Sequence, residues 1–170
     1  RIDSTDWWRL FACGTTGVAA NQLLFFNGLS ATSPVNASLI MTSNPILVLG
    51  ISSVLLGTAI TSRKVLGIGL GAIGAITLMV VGGQSEGAYS SWQGDLMILL
   101  NATSYGFYLV LVKPLMSKYK PLTVISWVFA FGALWVLPIG MQQALAVDWN
   151  AFQTADWQGL TYVILGTTFM

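Results

Sequence analysis

LFACGTTGVAANQLLFFNGLSATSPVNASLIMTSNPILVLGISSVLLGTAITS, residues Leu10–Ser62, runs without a charged side chain. Further uncharged blocks follow at Val65–Ser85, Leu96–Val112, Leu122–Val147 and from Trp157 onward. The bases Arg1, Arg9, Arg63, Lys64, Lys113, Lys118 and Lys120 fall in clusters, and Glu86, Asp95, Asp148 and Asp156 lie between and after them. A soluble domain must scatter charge along the solvent face of every element. Here 8 % of residues are charged, against roughly 25 % in ordinary globular chains. With 55 % hydrophobic residues and a mean hydropathy of +0.73, the chain reads as one whose solvent is lipid.

Backbone polar groups cannot stay unpaired in hydrocarbon, so apolar blocks must be helices or closed barrel strands. Barrel strands alternate apolar and polar residues and turn about every ten residues. These blocks are longer and do not alternate, so the expected fold class is an all-α integral membrane protein, a polytopic transmembrane helix bundle. Spans are expected at about 8–27, 34–57, 64–82, 94–112 and 121–141, with a sixth starting near Gly159. A tight uncharged turn, Gly28–Ser33, separates the first two, with Pro34 suited to a first helical position. A spanning helix needs roughly 20 residues. The last block is shorter and the chain opens without an initiator Met, so a portion of a longer protein is expected.

Lys and Arg concentrate in cytoplasmic loops. Under the six-span count all seven bases fall on one side, which predicts a cytoplasmic residue-1 end and cytoplasmic loops at 63–64 and 113–120. Trp7, Trp8, Tyr89, Trp92, Tyr119, Trp149 and Trp157 gather at span ends, as interfacial aromatic belts do; Trp127 and Trp135 lie within a span. The expected localisation is the plasma (inner) membrane, multi-pass. No basic patch is interleaved with exposed aromatics, so no nucleic-acid partner is expected. Cys13 is alone, which points to a buried structural thiol. With no His and no metal-ligand cluster, neither metal nor cofactor is expected.

A faint echo links Asp6-Trp7, Leu10 and Gly14-Thr15-Thr16 with Asp156-Trp157, Leu160 and Gly166-Thr167-Thr168. If it is real, five spans make one period. Five is odd, so successive copies face opposite ways, the arrangement of inverted-repeat secondary transporters.

The stretch Ser38-Leu-Ile-Met-Thr-Ser-Asn-Pro45, then Val54-Leu-Leu-Gly57, Ile60-Thr61 and Leu66-Gly67-Ile-Gly69, resembles the EamA domain of the drug/metabolite transporter superfamily. In that family the fourth helix carries a Ser/Pro pair at midspan and ends in Leu-Leu-Gly-Glu before a basic loop and a Gly-rich fifth helix. Gly94-Asp95-Leu96 through Tyr105, Val110 and Lys113 resembles the start of a second repeat. The resemblance implies a 5+5 inverted-repeat transporter, with residues 1–91 in the first repeat and 92–170 in the second. These spans would be helices three to eight, lacking the first two and last two. Thr58 stands where the family usually has Glu.

Polar side chains inside a span are costly unless they face protein or water, so they are candidates for a transport path. Asn101, Ser104, Tyr105 and Tyr108 fall at i, i+3, i+4 and i+7 on one helix face. Ser38, Thr42 and Pro45 share another, with Asn44 beside them, and Pro45 breaks a midspan hydrogen bond. Asn21 and Gln22 add polar groups to the first span. Each set could line a cavity or serve as interhelical glue. Gly67, Gly71 and Ala75 recur every four residues, the spacing of close helix packing, within one chain or in a homodimer. Gly67-Ile-Gly69-Leu-Gly71 lies inside a span with no preceding strand, so it is not a nucleotide loop.

The expected function is transport, as an exporter, of small polar metabolites such as amino acids or related compounds by alternating access. The expected partners are the lipid bilayer and a small-molecule substrate. An intramembrane enzyme would need a nucleophile with a base, or a metal cluster, within the spans, and the sequence offers neither. A membrane scaffold or receptor-like module without transport activity is the other reading.

Overall fold

The computed structural model describes residues 2–81 and 91–166, excepting the side chains at 71, 72, 75, 76, 78–81 and 150. Glu86, Tyr89, Thr167, Thr168 and the side-chain surroundings of Gly71 and Ala75 thus lie outside the described residues. The described residues are helical, in the order α1 (Trp7–Gly14), α2 (Asn21–Ala31), α3 (Pro34–Met41), α4 (Asn44–Leu56), α5 (Ser62–Val81), α6 (Trp92–Lys118), α7 (Pro121–Ala146) and α8 (Thr154–Thr161). Among them, Pro34–Leu56, Trp92–Lys118 and Pro121–Ala146 are long and apolar enough to cross a membrane.

The expected first span is one helical path, α1 to α2, joined by a π-helical turn at Thr15–Ala20. Thr15 and Thr16 sit at its entry, and their hydroxyls donate back to the carbonyls of Phe11 (3.0 Å) and Ala12 (2.8 Å). Such bonds compete with the regular ladder and loosen it. Ser33 caps α3 by accepting from Asn36 N at 3.1 Å, with Pro34 following at the first turn. Gly57 ends α4 in the left-handed region, φ 62°, where a residue without Cβ carries no steric penalty.

The chain divides into two compact units, residues 1–136 and 137–170. In the first, α6 packs against both the α1–α2 path and α4. Leu10, Cys13, Val18, Val112, Leu115, Val124 and Val128 form the buried cluster. With little hydrophobic drive between helices in lipid, close backbone approach has to supply much of the attraction. Glycines allow it: Gly28 lies against Ile98, Gly94 against Ala31, and Gly14 and Gly132 sit at the α1–α7 crossing. Trp7 makes an edge contact with Trp127 at 4.6 Å.

Polar groups join α1–α2 to α6 at both ends. At one end Asp6, 5 % exposed, accepts from Lys118 Nζ (2.6 Å) and Tyr119 OH (2.8 Å), while Lys118 also meets Asp3 at 2.7 Å. At the other, Ser91 donates through both N (3.0 Å) and Oγ (2.7 Å) to the Ala31 carbonyl, and Thr32 donates to Asp95. The second unit holds an aromatic cluster, with Trp149 stacked on Trp157 at 6.1 Å and Phe152 against both.

Candidate functional site

The expected second span is broken. Pro45 has no N–H, so the carbonyl four residues earlier loses its donor. Regular helix stops at Met41 and resumes at Asn44. Neighbouring hydroxyls occupy the carbonyls around the break: Thr42 Oγ1 donates to Leu39 O and Ser43 Oγ to Ile40 O, each at 2.6 Å. Ser38, exposed, donates to Pro34 O at 2.7 Å. Asn44 begins the second half-helix, and its buried Oδ1 has no hydrogen-bond partner among the described residues.

Below the break lies a cavity of about 590 Å³, lined by Asn44, Pro45, Val48, Leu49 and Ser52 of α4, Arg63, Lys64, Gly67 and Ile68 of α5, and Leu109 of α6. That volume lies in the range of small-molecule sites. The α4 residues fall at i, i+1, i+4, i+5 and i+8, so a single face forms the wall. Gly67 belongs to this lining, and a Cβ there would meet nothing within 4 Å. Thr58 reaches the far end, its hydroxyl 2.9 Å from Ser52 Oγ.

The α6 candidates point elsewhere. Asn101, 1 % exposed, donates from Nδ2 to the Asn21 carbonyl at 2.6 Å, and Ser104 Oγ donates to Thr16 O at 2.8 Å. Both bonds end on backbone of the irregular α1–α2 path, whose widened turn exposes carbonyls to a neighbour. Among the described residues Asn101 Oδ1 is left without a partner. Tyr108 packs on Gly17, where an added Cβ would lie 2.4 Å from the ring, and Tyr105 is more exposed, its ring 6.0 Å from that of Tyr108. Asn21 joins this set through its backbone, and Gln22 is exposed. The structure thus sorts the candidates into a polar seam between α1–α2 and α6, and the broken helix with its cavity.

Sequence reasoning passed over Ser43, Ser52, Arg63 and Lys64. Ser52 shares the Asn44 face at i+8, a readable signal. The two bases were used for orientation alone. Outside the spans, the hydrogen bonds of Lys118 and then Tyr119 hold the Asp6 carboxyl below its ordinary value.

Two regions, residues 1–80 and 92–170, match the model of the EamA-like transporter family. The chain is similar to the uncharacterized transporter YyaM of Bacillus subtilis (strain 168), 27 % identical over 158 residues, covering 92 % of this chain and 52 % of that protein. It is similar also to an uncharacterized transporter of Archaeoglobus fulgidus, 29 % identical over 138 residues, covering 81 % and 48 % of the two chains. A third relative is a probable terminal-alkyne amino-acid exporter of Streptantibioticus cattleyicolor, 29 % identical over 127 residues, covering 75 % and 41 %. The chain thus spans about half the length, or somewhat less, of these curated relatives. No solved structure matches. With both matched regions together spanning nearly all of its residues, and its described residues forming apolar helices, the chain belongs to the EamA-like transporter family.

Proposed function

We propose that the protein to which this chain belongs exports small polar metabolites, amino acids or related compounds, across the plasma membrane by alternating access. The observation that carries this reading is the helix break at Thr42–Ser43, with the unpaired Asn44 Oδ1 beside it at the head of a cavity. Secondary transporters place substrate near the midplane, where discontinuous helices leave polar groups free. A buried acceptor without a partner costs about 1–3 kcal/mol, a cost that a substrate donor would remove. The amino-acid class draws support from the relative named as an amino-acid exporter.

Two inverted copies of a five-span unit complete the proposal. Supporting it, Asp6-Trp7 leads through α1 into a π turn, and Asp156-Trp157 lies in α8, which also passes into a π turn, Tyr162–Gly166. Tyr105 and Tyr108 would flank the path, with Asn101 and Ser104 holding the α1–α2 backbone. Cytoplasmic placement of residue 1 and of loops 63–64 and 113–120 rests on the distribution of bases.

The test is efflux of labelled amino acids and neutral polar metabolites from proteoliposomes containing the complete protein. Transport of at least one class is expected, reduced about tenfold or more by Asn44→Leu, the loss of one well-placed hydrogen bond being worth about 1.4 kcal/mol. No movement under any imposed gradient would sink the reading.

A further inference from the structure

The lower end of the cavity carries charge that the transport reading leaves unused. Arg63 and Lys64 occupy the first turn of α5 and line the cavity with Ser52. Elsewhere, Lys118 is neutralised by Asp3 and Asp6, and Arg9 lies 4.0 Å from Asp6. Arg63 has no hydrogen-bond or carboxylate partner among the described residues, and Lys64 Nζ donates to the Ala59 carbonyl at 3.2 Å without meeting an acid. Two cations at a helix start also oppose the positive end of its dipole. The local field at this end therefore favours an anion.

The opposite end carries Asn44, whose Oδ1 is shielded and has no hydrogen-bond partner among the described residues, so a turn of the amide toward the cavity would offer that oxygen to a donor. Between them the walls are Val48, Leu49, Ile68 and Leu109. Asn44 and Ser52 are eight residues apart on α4, about 12 Å along the helix axis. The ammonium and carboxylate on a single α-carbon lie too close together to reach both ends at once.

We propose that Arg63 and Lys64 form a carboxylate-binding end, so that the cavity takes an elongated monocarboxylate: its carboxylate on the two cations, an apolar body against Val48, Leu49, Ile68 and Leu109, and a hydrogen-bond donor at Asn44 Oδ1. This rests on reading the cavity as the substrate site, and it makes Arg63 and Lys64 specificity-determining residues. An Arg or Lys bond to a carboxylate is charge-assisted and directional. Removing both cations should therefore weaken binding of the carboxylate and spare the matching carboxamide, which has no anion to lose.

The experiment uses the complete protein and three probes: a medium-chain ω-amino carboxylic acid, the same chain as its carboxamide, and the carboxylic acid without the terminal amine. Binding is followed by thermal stabilisation in detergent and by efflux from proteoliposomes. In the double variant Arg63→Gln, Lys64→Gln, affinity for the ω-amino acid should fall about tenfold or more, while the carboxamide, cationic through its ammonium, binds no more weakly than to wild type, as expected for losing a charged hydrogen-bond partner of the carboxylate alone. Carboxamide binding by the variant also reports that it is folded. The charge-conserving variant Arg63→Lys, Lys64→Arg should keep carboxylate affinity, and Asn44→Leu should abolish the preference for the terminal amine. Equal weakening of acid and carboxamide, or no change in either, overturns the proposal while transport stands. Stabilisation by phosphatidylglycerol vesicles with none by the carboxylate overturns it in favour of a lipid site. Charge-dependent binding without efflux upholds the assignment and defeats the transport reading instead.

Discussion

At Gly14 the Cβ of an alanine would lie 2.6 Å from Phe131 Cβ and 2.7 Å from the Val128 carbonyl oxygen. Neither neighbour is the loose end of a flexible chain, so α1 and α7 must separate to admit one methyl. Overpacking of this kind costs about 1–3 kcal/mol. Gly14→Ala should lower the unfolding midpoint of the complete protein in detergent accordingly, while Gly67→Ala, which meets nothing within 4 Å, should be neutral or mildly stabilising. Equal effects of the two substitutions would show that the crossing is not tight. The spacing rule selected Gly67, Gly71 and Ala75 for close packing. It passed over Gly14 and Gly132, which meet at one crossing, and Gly28 and Gly94, which meet at another, because the partners lie on different helices and no spacing within one helix joins them.

Elements are joined by polar groups at their ends. Asp6 immediately precedes α1, and its carboxylate is held by Lys118, the last residue of α6, and by Tyr119 just beyond it. The hydrogen bonds of Lys118 and then Tyr119 depress its folded pKa below the ordinary carboxylate value. A carboxyl with a depressed folded pKa contributes stability that is present above its unfolded value and lost as pH falls through the lower folded value. The clasp should therefore hold at neutral pH and weaken below about pH 4. Thermal midpoints from pH 7 to pH 3 should drop more steeply for the wild type than for Asp6→Asn, whose curve starts lower and is flatter. Parallel curves would exclude the clasp as a pH-sensitive tie. The break between α3 and α4 was legible at this scale, since Pro45 dictates a missing hydrogen bond whatever surrounds it. The π turn at Thr15–Ala20 was not: Thr15 and Thr16 fit a regular helix too, and only the donors Ser104 and Asn101 on α6 make its displaced carbonyls tolerable.

For the whole molecule, the odd number of spans in the proposed unit predicts opposite orientation of its two copies. In a structure of the complete protein, a rotation of about 180° about an axis in the membrane plane should superpose the start of α1 on the start of α8. Unrelated surroundings for those two segments would dispose of the repeat. In a Cys13→Ala background, Thr61→Cys should react with an impermeant thiol reagent from the cytoplasmic side and Ser30→Cys from the other. The reverse pattern would invert the topology.

Membrane residence, helical class and the family resemblance were decided by the sequence, because lipid tolerates few charges and forces every backbone group into a helix or a closed barrel. Position along the chain also marked Asn44 and Pro45, since proline acts on its own helix. Which polar residues share a site was decided only by the tertiary structure. Asn101 and Ser104 look equivalent to Asn44 on a helical projection, yet they spend their donors on the Thr16 and Asn21 carbonyls, while Asn44 faces a cavity with Arg63 and Lys64. Periodicity tells which side chains leave a helix together; the neighbour they meet depends on how helices distant in sequence come to pack.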